Sequence, residues 1–157
     1  MTKGPLAGVP GGDDDRVVPK TTRSGAAKQS ELPSTLQRSD ELAQRTFAHA
    51  YDAAIEQYDG DEERAHRVAF AALKHSHEKV GDSWRPKAEY GPSDRHAEEG
   101  YGSDAPTAGG VDANASRAHL YDVATELGIS GRSRMRKDEL VEAIEKENDR
   151  RSRQALQ

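Results

Sequence analysis

The chain of 157 residues contains no cysteine, which excludes a disulfide framework and a thiolate zinc site together. Aromatic residues are scarce at 5%, so any core must be built mainly from small aliphatic side chains. Long apolar runs are missing too. The longest, Val68-Ala69-Phe70-Ala71-Ala72-Leu73, falls far short of the ~20 residues that cross a bilayer. Met1-Thr2-Lys3-Gly4-Pro5 lacks the apolar stretch of a signal peptide, so no membrane insertion and a cytoplasmic location are expected.

What is present is charge. Charged residues make up 32% of the chain, hydrophobic residues 33%, and the mean hydropathy is −0.97. So polar a chain cannot pack from end to end, because its apolar surface does not offset the entropy of ordering it. The expected fold class is all-α, with two small helical domains joined by disordered linkers. Residues 1–30 read as a disordered arm, rich in Gly, Pro, Ser and Thr and carrying the acidic run Asp13-Asp14-Asp15.

A first helical domain is expected over 31–87. Ser39 or Asp40 suits an N-cap, and Ala43, Phe47, Ala50, Tyr51, Ala54 and Tyr58 then follow helical spacing. Gly60 ends this helix, and a second begins near Asp61 with Glu62 and Glu63 at its positive end. Ala65, Val68, Ala69, Ala72 and Leu73 form its apolar face, and Lys79 with Gly81 closes it. Trp84, which follows a Gly-containing turn, is expected to fold back on the helical pair.

Residues 88–113 read as an acidic linker broken by Gly and Pro. Glu89, Asp94, Glu98, Glu99, Asp104 and Asp112 face only Arg95 there, which accounts for the whole net charge of −5. A second helical domain follows at 114–150, with Ser116 as N-cap, Leu120, Val123, Ala124 and Leu127 on one face, and Gly128 as C-terminal cap. Leu140, Val141 and Ile144 of a further helix would pack back on this face, with Met135 at the corner. The basic tail, 151–157, is expected to fray together with Arg150.

No phosphate loop, nucleophile elbow or His-Glu-x-x-His motif occurs, and neither domain is large enough to enclose a catalytic pocket. We therefore expect no enzyme activity, no cofactor, no metal site and no small-molecule substrate. Asp59-Gly60-Asp61-Glu62-Glu63 imitates a calcium loop, but its sixth position is Arg64 and its twelfth is Phe70. His75 and His77 stand two apart on an expected helix and so face different ways, with solvent exposure as the ordinary state for all six histidines.

The cluster Arg132, Arg134, Arg136 and Lys137 lies in a turn and at a helix start. Backbone N–H groups and the helix dipole favour phosphate at such a place, and four cations can neutralise a nucleic-acid backbone. The plain reading is a solvated turn balanced by Asp138 and Glu139. Tyr121 is the one aromatic nearby, which argues against base stacking.

Two resemblances sharpen this reading. Glu31-Leu32-Pro33, Ala43-Gln44, Phe47, Ala65-His66-Arg67-Val68-Ala69-Phe70-Ala71-Ala72-Leu73-Lys74 and Gly81-Asp82-Ser83-Trp84-Arg85-Pro86-Lys87 resemble the ChaB family, named for regulation of a cation/proton antiporter. This chain departs from the family pattern with Ser39 for a proline, Phe70 for a tryptophan and His77 for a tyrosine. Leu120-Tyr121, Leu127-Gly128-Ile129 and Gly131-Arg132-Ser133-Arg134-Met135-Arg136-Lys137-Asp138-Glu139-Leu140 resemble the N-terminal module of transcription termination factor Rho, itself similar to SAP and LEM folds. The resemblance implies nucleic-acid binding without termination activity. The expectation is a nucleic-acid-associated adaptor, contacting DNA or RNA backbone with its second domain and a protein partner with its first. The alternative is a purely protein-binding regulator of a cation/proton antiporter.

Overall fold

The computed structural model describes residues 19–94, 98 and 108–156. Along them run α1 (Ser34–Gln37), α2 (Glu41–Gln57), α3 (Glu62–Ser76), β1 (His77–Val80), β2 (Ser83–Pro86), α4 (Arg117–Glu126) and α5 (Lys137–Ala155). Single turns of 3-10 helix occupy Gln29–Glu31 and Arg132–Arg134. The architecture is mainly helical, in two helical regions, with a single two-stranded sheet among the described residues.

Helix α2 starts where Asp40, rather than Ser39, accepts the Ala43 N–H at 2.7 Å. It ends at Tyr58, and Asp59 and Gly60 then reverse the chain with φ of 54° and 84°. Asp61 caps α3 by accepting the Arg64 N–H at 3.1 Å. Alanines 43, 48, 54, 65 and 69 bring α2 and α3 close, and Leu36, Phe47, Tyr51, Leu73 and Trp84 fill the space that remains. Phe47 meets Phe70 edge-on at 4.8 Å, and Phe70 lies 6.2 Å from Trp84. Trp84 is buried against the helices, as the sequence implied.

The strand pair was not legible in the sequence. Helix α3 stops at Ser76, and His77–Val80 pairs antiparallel with Ser83–Pro86 across Gly81-Asp82. Gly81 takes φ +70°, which a side chain would resist. His77 therefore begins a strand instead of continuing a helix, and it is fully buried where exposure was expected. Its Nδ1 lies 2.8 Å from the Ser76 hydroxyl and its Nε2 3.5 Å from Asp40. Burial lowers its pKa, against the pull of Asp40.

Asp13-Asp14-Asp15 lies outside the described residues. Just beyond, Lys20 and Thr21 donate their backbone N–H groups to the Asp52 carboxylate at 2.8 and 3.1 Å. Lys20 Nζ also sits 4.3 Å above the Tyr51 ring, so this part of the N-terminal arm lies along α2.

In the second region, Ser116 accepts the His119 N–H at 3.1 Å and starts α4. A C-terminal motif closes it, with Ile129 N–H reaching the Ala124 carbonyl at 3.0 Å and Gly128 at φ +72°. Leu120, Val123, Ala124 and Leu127 pack on Leu140 and Ile144, with Met135 and Val141 at the margin. Helix α5 does not fray at Arg150 but runs to Ala155, because Arg150 and Arg151 both bind Glu147 and Arg151 reaches the Leu127 carbonyl at 2.9 Å.

Of the stretch read as a linker, residues 95–97 and 99–107 lie outside the described residues. Its flanks are packed. Ala108 and Val111 belong to the second core, Asp94 accepts the Ala108 N–H at 2.8 Å, and Ala113 donates to the Ser93 carbonyl at 2.7 Å. Two isolated apolar residues among glycines carry no periodicity, so composition alone could not reveal them.

Candidate nucleic-acid interface

The basic cluster forms where α4 gives way to α5. Gly131, at φ +76°, turns the chain into the Arg132–Arg134 helical turn, and Met135 then extends to Arg136, the N-cap of α5. Glu139 accepts the Arg136 backbone N–H at 2.8 Å, which fixes the helix start. Leu140 anchors the same turn in the core, so the cations stand on a rigid base.

The four sequence-selected cations are not equivalent. Arg132 is half-buried; it donates to the Ile129 carbonyl at 2.8 Å and lies 5.8 Å from the Tyr121 ring centroid. Its guanidinium holds the turn together. Arg136 is 79% exposed and sits 3.6 Å from Asp138 and 3.4 Å from Glu139. Ion pairs this exposed are worth about 0–1 kcal/mol, so a phosphate can replace these carboxylates at little cost. Arg134 and Lys137 are exposed and form no ion pair among the described residues.

Arg117, which sequence reasoning missed, joins this cluster from α4. Its Nε and a terminal nitrogen donate to the Met135 carbonyl at 3.3 and 2.7 Å. Eighteen residues separate donor and acceptor, and no local pattern marks the pairing. Beside the cluster, Ala113, Arg136, Lys137, Asp138 and Val141 line a shallow depression open to solvent. Five cations thus face two carboxylates around the positive end of a long helix, an arrangement suited to anionic backbone and without a stacking platform.

A second polar constellation lies between the two helical regions. Glu78, only 4% exposed, receives His119 Nε2 at 3.0 Å on each carboxylate oxygen. Arg85 lies 3.8 Å from Glu78 and bridges to Glu126 at 2.9 Å. No hydroxyl or thiol is hydrogen-bonded to the other ring nitrogen of His119 among the described residues. No cluster of three or more metal-ligating side chains occurs among the described residues. No helix among them is long and apolar enough to cross a membrane.

Comparison with known proteins agrees with this division of the chain. The ChaB family model matches residues 32–87, and the model for the N-terminal domain of the Rho termination factor matches residues 116–152. No curated protein and no solved structure matches the chain. The basic turn and α5 fall within the second match, the paired helices and hairpin within the first, and the chain thus carries a ChaB domain followed by a Rho termination factor N-terminal domain.

Proposed function

We propose that this protein is a non-enzymatic, nucleic-acid-associated adaptor. Its Rho-type domain contacts DNA or RNA backbone through Arg134, Arg136 and Lys137, with Arg132 shaping the turn, and its ChaB domain contacts a protein partner. The observation that carries the reading is the exposed basic turn at the start of α5, inside the match to a nucleic-acid-associated family. Arg134 and Lys137, with no ion pair among the described residues, meet phosphate without first giving up a partner.

Titration of the full chain with duplex DNA and with RNA tests this. Binding in the non-specific range of roughly 10⁻⁴–10⁻⁶ M at physiological salt is expected. If Arg134, Arg136 and Lys137 meet phosphates, log K against log salt falls on duplex DNA with a slope of about −3, and their joint replacement by Ala flattens it. Replacing Glu89, Glu98 and Glu99 by Gln in the full chain should tighten binding, because their carboxylates repel phosphate. The ChaB match supports a rival reading, a protein-binding regulator of a cation/proton antiporter. That rival takes over if no nucleic acid gives a salt-dependent signal even at low salt.

A further inference from the structure

The hairpin β1–β2 lies inside the ChaB match, yet its tip is committed to residues outside it. Val80 packs in the core of the Rho-type domain, beside Ala108, Val111 and Leu127. Asn148, 1% exposed, accepts the Gly81 N–H at 2.6 Å and donates to the Lys79 carbonyl at 2.8 Å. A side-chain amide pairs both its ends in this way only with a backbone that offers a donor and an acceptor together, as the turn does.

The close approach extends to both sides of the tip. Lys79 donates its N–H to the Gly110 carbonyl at 2.9 Å. Gly110 has φ +98°, and a Cβ there would stand 2.6 Å from Trp84 Cη2 and 3.0 Å from Lys79 Cβ. On the opposite side, a Cβ at Gly81 would stand 3.5 Å from Arg151 Cδ and 3.7 Å from Leu127 Cδ2. Glu78 and Arg85 of the hairpin add His119 and Glu126 of α4. Separated domains would return Asn148 and the Glu78 carboxylate to water and uncover Val80, so these groups are placed for each other rather than for their own cores.

We infer that the ChaB hairpin is a docking surface whose occupant is the Rho-type domain of the same chain, so that the two domains unfold as one body. An external protein partner then meets the helices of the ChaB domain, because the hairpin tip is taken.

Trp84, the only tryptophan, reports on the ChaB core in the full chain. Asn148→Ala and Gly110→Ala lie outside the ChaB match, yet each is expected to lower the thermal midpoint seen by Trp84 fluorescence by about 4 °C or more. Amide exchange at Gly81 should speed up at least ~10-fold in Asn148→Ala, as its acceptor is lost. Glu126→Gln, at a half-exposed surface position that α4 does not need for folding, should shift the same midpoint in the same direction by less. A Trp84 midpoint unmoved by all three substitutions overturns the inference. So does a midpoint that rises with protein concentration alongside a sedimenting dimer, since the contacts would then run between two copies.

Discussion

Ser39 takes the backbone N–H of Trp84 on its hydroxyl at 2.7 Å while giving its own proton to the Thr35 carbonyl at 2.7 Å. One side chain thus ties β2 to α1, and the proline usual at this place in the ChaB pattern could make neither bond. Ser39→Ala leaves the Trp84 N–H without an acceptor and should cost about 1–3 kcal/mol. Urea denaturation followed by Trp84 fluorescence measures it, and no change in midpoint would mean that water replaces the hydroxyl.

Trp84 itself is 4% exposed and reaches Thr35 with its indole N–H at 3.3 Å. Trp84→Ala should destabilise the protein by about 3–5 kcal/mol, whereas Trp84→Phe keeps most of the buried ring and should cost clearly less. Circular dichroism at increasing urea distinguishes the two.

The basic residues should separate by their effect on salt dependence. Arg134→Ala and Lys137→Ala are each expected to make the slope of log K against log salt shallower by about one unit. Arg132→Ala should alter it less, since that guanidinium is engaged with the Ile129 carbonyl, and should instead loosen the turn. Equal effects from all three would show that Arg132 leaves its carbonyl on binding.

Stability should fall on the acid side of neutrality. Burial lowers the pKa of His77, so the fold holds it neutral while the unfolded chain takes up a proton near pH ~6.5. Protons therefore favour the unfolded state, and stability declines as pH drops below ~6.5 towards the lowered folded value. His66, also lowered by burial, adds a loss of the same sign. His77→Gln should reduce the decline, as denaturation midpoints between pH ~7.5 and ~5 would reveal.

A second acid effect is confined to α5. Hydrogen bonds from Arg150, then Arg151, pull Glu147 down to about 2. Its contribution is present above the ordinary glutamate range and is lost as pH falls through that range towards about 2. Glu147→Gln should fray the last turns of α5 at neutral pH, visible as faster amide exchange after residue 148 with residues 137–144 unaffected.

The sequence carried the helices because their signals are local. Asp40, Asp61 and Ser116 each cap a helix through bonds spanning three residues, and Gly128 ends one within the same span. Composition and spacing can report such features. The hairpin and the contacts between domains are different in kind. His77-Glu78-Lys79-Val80 has no clean alternation, and its partners Asn148, His119 and Gly110 lie far along the chain. Arg117 was missed for the same reason, whereas the four cations found from sequence were adjacent to one another. The continuation of α5 past Arg150 depends on Leu127, which no local pattern points to.

Helix α5 carries both the basic turn at Lys137 and the domain contact at Asn148, about 16 Å apart along one axis. This makes helical phase a physical property of the protein. A single residue inserted between Glu142 and Glu147 would rotate everything beyond it by about 100°, taking Asn148 off the hairpin while leaving Leu140 and the basic turn in place. Four inserted residues would bring the angle back to within about 40° but move Asn148 about 6 Å along the axis, beyond reach of Gly81. The spacing between the two ends of this helix is therefore as constrained as the identity of the residues at either end.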